Sequence, residues 1–242
     1  MMDHARVSST QKFYSAPNPG TTNSSSSTRT QATEFAAPRP KPRRRQRQQE
    51  INPADLEALK AVATSPRDRA LLLLLIQSGL RPGELTRLDR ANIRVVTSTS
   101  EDGSDVTYGK GQVVAPRAIN CRSFWFGPEC LVALGDYLKA DRANDDEPAL
   151  FTTKRGTRIS TRALHDILGG WCKLAGIEPV GAHRFRYTFG STLMCFGANI
   201  TDLCKLLGHA IPNRFLQWHF HESDESFSRR VTKLLLTIFK LG

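Results

Sequence analysis

A chain of 242 residues with 39% hydrophobic residues can form one large domain or two small ones, with one buried core and a polar remainder. Lys and Arg outnumber Asp and Glu by 34 to 23, a formal net charge of +11. That excess points to a polyanion, most often nucleic acid, although a solubilising surface or attraction to a membrane has the same sign. No run of about twenty apolar residues occurs, so nothing spans a membrane. The leucine run at 71–76 is far too short. The five cysteines are odd in number and lack paired spacing, which argues for reduced thiols in a cytosolic compartment. A zinc site drawn from Cys195, Cys204, His209, His219 and His221 would lack any Cys-x-x-Cys or His-x-x-x-His unit to pre-form it. Neither a metal nor a cofactor is expected.

The first fifty residues are dominated by Ser, Thr, Pro, Gln and Asn and end in Pro-Arg-Pro-Lys-Pro-Arg-Arg-Arg-Gln-Arg at 38–47. Such a segment cannot bury enough apolar surface to fold, and disorder is expected over residues 1–50. It carries nine Lys or Arg against three acids, which is +6 of the chain's +11. A basic arm that tracks DNA fits this charge, since each phosphate neutralised releases counterions. A solvated linker and a nuclear-import or transit signal fit the same composition.

Folded sequence is expected from residue 51 to 242. Asn52 followed by Pro53 starts a helix with Leu56, Leu59 and Val62 on its apolar face, and Ser65-Pro66 repeats that signal for a helix through Gln77. The second helix is apolar all round, the mark of a central core helix. Gly79 ends it, and Pro82 opens another that turns Leu85 and Leu88 inward. The period then changes to that of short antiparallel strands at Ile93–Thr99, around Val106-Thr-Tyr, and at Arg122–Phe126. Cys130–Lys139 and Thr161–Ala175 are helical. In the last third, Phe185, Phe189, Leu193 and Phe196 step by four and three as a buried helical stripe, with Gly197 as the stop. Tyr187, inside that helix, reads as a packed aromatic. His183 and Arg186 lie three apart at the helix start, so an imidazole and a guanidinium share a face and can converge on one anion. Taken alone, such a pair is more often a surface pair or a satisfied core histidine. A second helix, Ile200–Leu207, ends at Gly208, where His209 could join them.

The order of these residues narrows the choice. His183-x-x-Arg186, an apolar helix, Gly197-Ala-Asn-Ile and Leu206-Leu-Gly-His209 resemble the second signature box of the tyrosine recombinases, the phage integrase family. About a hundred residues upstream, Gln77-Ser-Gly-Leu-Arg-Pro-Gly-Glu-Leu-Thr-Arg-Leu resembles the first box, with Arg81 as its arginine and Glu84 as the accompanying acid. The resemblance runs from about Asn52 to the C-terminus. It implies an α+β fold, mainly α, with a small antiparallel three-stranded sheet whose hairpin delivers a lysine to the site. Gly109-Lys110-Gly111 looks like that lysine turn, but Arg122 follows at a longer spacing than the family's, and Arg117 could instead hold the position. The family's helical core-binding domain would fall where the basic arm lies. Phe227–Leu241, with Val231, Leu234, Leu235, Ile238 and Phe239, looks like the amphipathic helix that the family exchanges between protomers.

The chemistry so implied is metal-free phosphoryl transfer in DNA. Arg81 and Arg186 would clamp the non-bridging oxygens, His183 and His209 would orient and donate, and a lysine would protonate the leaving oxygen. The nucleophile is the exception. A tyrosine should follow Leu-Gly-His by about nine residues, yet counting without gaps reaches Trp218 and one insertion reaches His219. No tyrosine lies beyond Tyr187. The resemblance therefore implies a double-stranded DNA partner and a role in recombination or integration, with strand cleavage by this chain impaired or absent and an active recombinase subunit as a further partner. It also implies homo-oligomers on DNA and a cytoplasmic, nucleoid-associated location, or a nuclear one in a eukaryote. A catalytically inactive DNA-binding regulatory or accessory module is the alternative. An unrelated helical DNA binder, docking residues 183–209 as a helix-turn-helix, is the third possibility.

Overall fold

Two short signals start the folded chain. The Asn52 side chain accepts from the Ala54 N–H at 3.0 Å and Ser65 Oγ from the Asp68 N–H at 3.1 Å, each just before a proline at the first helical position. They open α1, Pro53–Val62, and α2, Pro66–Ser78. The structure, a computed structural model, describes residues 50–99, 103, 105–113, 121–142, 146–208, 230–235 and 237. All lie in one unit, Arg45–Gly242. The basic arm at 1–49 lies outside the described residues.

Helix α2 is buried without a break from Ala70 to Leu75, so removing any of these leucine side chains would cost about 2–5 kcal/mol. Around it pack α4, Pro128–Asp141, and α6, Ala182–Cys195, while α1 packs against α5, Thr161–Ala175. Gly79, at φ 59°, ends α2, and α3, Pro82–Leu85, follows with Leu85 and Leu88 buried. The strands β1, Ile93–Thr99, β2, Asp105–Val113, and β3, Arg122–Phe126, form an antiparallel sheet in the order β1-β2-β3. The fold is thus mainly helical with a small three-stranded sheet, as expected.

Alternation along the strands separates two cores. Val113, Phe124 and Phe126 join the main core around α2. Tyr108 and Trp125 point the other way, into a second cluster with Phe189 and Leu193 of α6 and Leu206 and Leu207 of α7, Ile200–Leu207. Residues 230–235 are helical, and Val231 and Leu235 are buried in this same cluster of their own chain. Arg230 fixes that segment with a two-pronged pair to the buried Asp202 at 2.6 and 2.9 Å. Phe227, Ile238 and Phe239 lie outside the described residues. Among the described residues no helix is long and apolar enough to cross a membrane.

Two expectations need correction. Gly109-Lys110-Gly111 is no turn but the middle of β2, with Lys110 opposite Arg94 on one side and Trp125 on the other. The glycines answer a steric demand instead: a Cβ on Gly109 would lie 2.0 Å from the Phe126 ring, and one on Gly111 2.2 Å from the Phe124 ring. Phe196 does not complete the buried stripe of α6. The helix ends at Cys195, Phe196 is its C-cap, and its side chain leaves the stripe with 40% exposure.

Candidate functional site

Three arginines from three distant elements meet at the end of α7. Pro82 forces the residue before it into an extended conformation, which makes Arg81 the N-cap of α3 at φ −72° and ψ 149°. Its backbone N–H donates to Glu84 Oε2 at 2.8 Å and its guanidinium to Glu84 Oε1 at 3.0 Å and to the Gly208 carbonyl at 2.9 Å. Arg186, on the first turns of α6, donates to the carbonyls of Gly79, at 2.6 Å, and Leu207. Arg122, the first residue of β3, donates to the Leu206 carbonyl and to Glu84 Oε2, both at 2.5 Å. Leu206, Leu207 and Gly208 are consecutive, so each of the last carbonyls of α7 is held by a different arginine. Helix C-terminal carbonyls have no partner within the helix and carry its negative end, which is why cations settle there.

Gly208 is required at this joint. It adopts φ 60°, and a Cβ would stand 2.7 Å from Arg122 Cδ. Its carbonyl, held by Arg81, is the one that joins the chain to His209.

The charges do not balance: three guanidiniums share one carboxylate. Burial alone would raise the Glu84 carboxyl, but the hydrogen bond from Arg122 and the charges of Arg122 and Arg81 outweigh it and hold it below its usual 4.5. Burial, then repulsion from Arg81 and Arg122, lowers Arg186 to about 10 against the pull of Glu84. It stays protonated at neutral pH. Exposure divides the trio: the Arg81 side chain is 42% exposed, Arg122 8% and Arg186 7%.

Beside them opens a cavity of about 570 Å³ lined by Arg81, His183, Arg186, Tyr187, Ser191 and Met194, among others. His183 is exposed one helical turn before Tyr187. The cavity also meets Glu50, where the chain crosses α6: the Ile51 N–H donates to Thr188 Oγ1 and Arg184 to the Glu50 carbonyl, each at 2.9 Å.

The fold thus brings Arg81, His183 and Arg186 around one cavity. Lys110 is not among the lining residues; its ammonium sits 5.3 Å from the centroid of the Trp125 ring. His209, Trp218, His219 and Arg117 lie outside the described residues. Tyr187 is not a packed aromatic: it is 47% exposed on the cavity wall. Positions 183, 187, 190 and 194 step by four, three and four, a second stripe beside the apolar one, and that spacing would have found it. The sequence marks Arg122 only as a strand residue, because its partners lie 38 and 84 positions away. Among the described residues no three His, Cys, Asp or Glu side chains are grouped to hold a metal.

Residues 48–226 match the profile of the phage integrase family, and the chain belongs to that family. Among curated relatives, it is 30% identical over 148 residues to the tyrosine recombinase XerC of Vibrio cholerae serotype O1, covering 60% of this chain and 44% of that protein. It is 33% identical over 169 residues to the tyrosine recombinase XerC of Chromohalobacter salexigens, covering 65% and 52%. The chain therefore spans about half the length of the curated relatives it matches. Among solved structures it resembles the XerA recombinase, with a TM-score of 0.58 and 25% identity over 76% of this chain and 64% of that one. The XerH site-specific recombinase, solved bound to its difH substrate, shares the fold at a TM-score of 0.54 and 18% identity over 66% and 47%.

Proposed function

We propose that the cavity holds a backbone phosphate of duplex DNA and that the chain acts in site-specific recombination or integration. The observation that carries this is the convergence of Arg81, His183 and Arg186 on one cavity beside a cluster with more guanidiniums than carboxylates. An incoming phosphate would offset the burial of Arg186 and its repulsion from Arg81 and Arg122, and the more exposed Arg81 would meet it first. Donors fixed by helix ends need no reorganisation as negative charge builds on the phosphorus, the condition for stabilising a transition state. The related XerH protein is solved on its difH DNA and the Tn1549 integrase on transposon-end DNA, which supports a DNA ligand for this chain.

Cleavage needs a nucleophile as well. Tyr108 and Tyr137 are buried, with the Tyr137 hydroxyl accepting from the Thr152 N–H at 3.1 Å. Tyr187 is the one described tyrosine on the cavity wall. With Trp or His at the expected position, the chain grips the scissile phosphate, and its own strand cleavage is impaired or absent; the phenol comes from an active recombinase subunit. The same substitution favours the second possibility, an accessory module that uses the cavity only to hold DNA. Assembly on DNA would run through the C-terminal helix, and the role belongs where the chromosome is, in a bacterium the cytoplasm.

Fluorescence anisotropy with duplex DNA across a salt series tests the binding. Affinity should fall steeply with salt, and Arg81→Gln or Arg186→Gln should each reduce the slope by about 0.9, one phosphate contact. A wild-type affinity indifferent to salt, or slopes unchanged in both variants, would refute the phosphate site.

A further inference from the structure

We infer that Arg122 is a positioning residue: it occupies Glu84 so that Arg81 and Arg186 remain available to an anion in the cavity. Its side chain is 8% exposed, and its Nε is buried with no hydrogen-bond partner among the described residues. A buried donor left unmatched is unfavourable, so the conformation is held by its two other bonds, to Leu206 O and Glu84 Oε2. The geometry around Glu84 shows what those bonds prevent. Oε2 already takes the Arg81 N–H at 2.8 Å and Arg122 at 2.5 Å, while Arg186 Nη1 waits at 4.0 Å, outside hydrogen-bond range. Without Arg122, a half-neutralised buried carboxylate faces Arg186 across a gap that a shift of about 1 Å would close to ordinary bonding distance. Arg186 would then leave the Gly79 carbonyl and take Glu84 as its counter-ion, and the cavity would lose much of its positive potential. The same loss would free the Leu206 carbonyl, the first of the three that fix the end of α7.

This inference rests on the proposal that the cavity takes a phosphate, and it makes a demand that simple packing does not. If Arg122 acts by occupying Glu84, removing the carboxylate should repair the damage of removing the arginine. Duplex DNA affinity by anisotropy, and the rise of melting temperature with added sulfate, are to be measured for wild type, Arg122→Met, Glu84→Gln and the double variant. Arg122→Met should weaken both ligands roughly tenfold, within the range of coupling between residues in one ion-pair network. The double variant should return to within about threefold of Glu84→Gln alone. Arg122→Lys keeps the charge but cannot span both acceptors; it should fall between, and with Glu84→Gln it carries the same comparison if the methionine variant does not fold. A double variant as weak as the single, or an Arg122→Met protein that binds like wild type, overturns the inference while leaving the phosphate site standing. Rescue seen with sulfate in a protein that ignores duplex DNA supports Arg122 and removes the DNA proposal. A wild type that responds to neither ligand overturns both.

Discussion

Alanine at Gly208 tests the joint between α7 and the arginines, because the same substitution elsewhere provides its own reference. Gly176 and Gly208 both close helices in the left-handed region, at φ 66° and 60°. A Cβ on Gly176 meets nothing within 4 Å, whereas one on Gly208 lies 2.7 Å from Cδ and 3.1 Å from Nε of Arg122. Left-handed backbone costs a non-glycine residue about 1–2 kcal/mol, and the stiffer unfolded chain offsets about 0.4–1 kcal/mol of it. Gly176→Ala should therefore lose about 1 kcal/mol. At Gly208 the overlap adds to this, since Arg122 is bonded at its tip to Leu206 and Glu84 and cannot swing aside without breaking a buried ion pair. Overpacking of that kind adds about 1–3 kcal/mol, for a total near 2–4 kcal/mol. For a domain of this size each kcal/mol lowers Tm by about 2–4 °C. Calorimetry should then show a drop of roughly 4–16 °C for Gly208→Ala against roughly 2–4 °C for Gly176→Ala. Equal losses at the two sites would mean that Arg122 does not fill the space beside Gly208, and the three-carbonyl arrangement would fall with it.

Removal of residues 1–50 should flatten the salt dependence of DNA binding if the basic arm contacts phosphates; an unchanged slope makes it a linker. On suicide DNA substrates the unmodified protein should form no phosphotyrosyl adduct, and Trp218→Tyr or His219→Tyr should restore one only if that position is aimed at the phosphate, because a displacement of about 1 Å can lower the rate two orders of magnitude. Should the unmodified protein form an adduct after all, Tyr187→Phe decides whether the half-exposed phenol on the cavity wall is responsible. Glu84 is held below its usual 4.5 in the folded chain, so its contribution to stability is complete above that pH and is lost as pH falls through the lowered value. Thermal melts from pH 6 down to about pH 3 should show a shallower acid decline for Glu84→Gln than for wild type, and parallel curves would remove Glu84 from the acid response.

What the sequence disclosed follows the range of the interactions. Helix starts and stops are local chemistry, so Asn52-Pro53, Ser65-Pro66, Gly79 and Gly208 could be read directly. The pairing of His183 with Arg186 is a matter of helical spacing, and Arg81 could be tied to them through the order of two motifs. The turn expected at Gly109-Lys110-Gly111 failed at the next level. Gly-Lys-Gly carries turn composition, but the rings of Phe124 and Phe126 that demand those glycines come from a neighbouring strand, and only the register shows it. Arg122 was hidden for the same reason, with Glu84 and Leu206 far away in sequence. Tyr187 was within reach: its offset from the stripe of Phe185, Phe189 and Leu193 places it on the other side of α6, with His183.

If copies of the chain assemble through this helix, as proposed, the seat of Val231 and Leu235 in their own chain's second cluster sets the threshold. A helix and a groove joined by one chain meet at an effective concentration on the order of millimolar, and a second molecule free in dilute solution cannot match that. Exchange between protomers would then become competitive only where two copies are held side by side, as on neighbouring half-sites of one duplex. The ion pair of Arg230 with Asp202 would have to break before any such exchange, and the surrender of a private contact for an identical shared one leaves the energy nearly level. Occupancy of the DNA, rather than the strength of the helix contact, would then decide when the chains link.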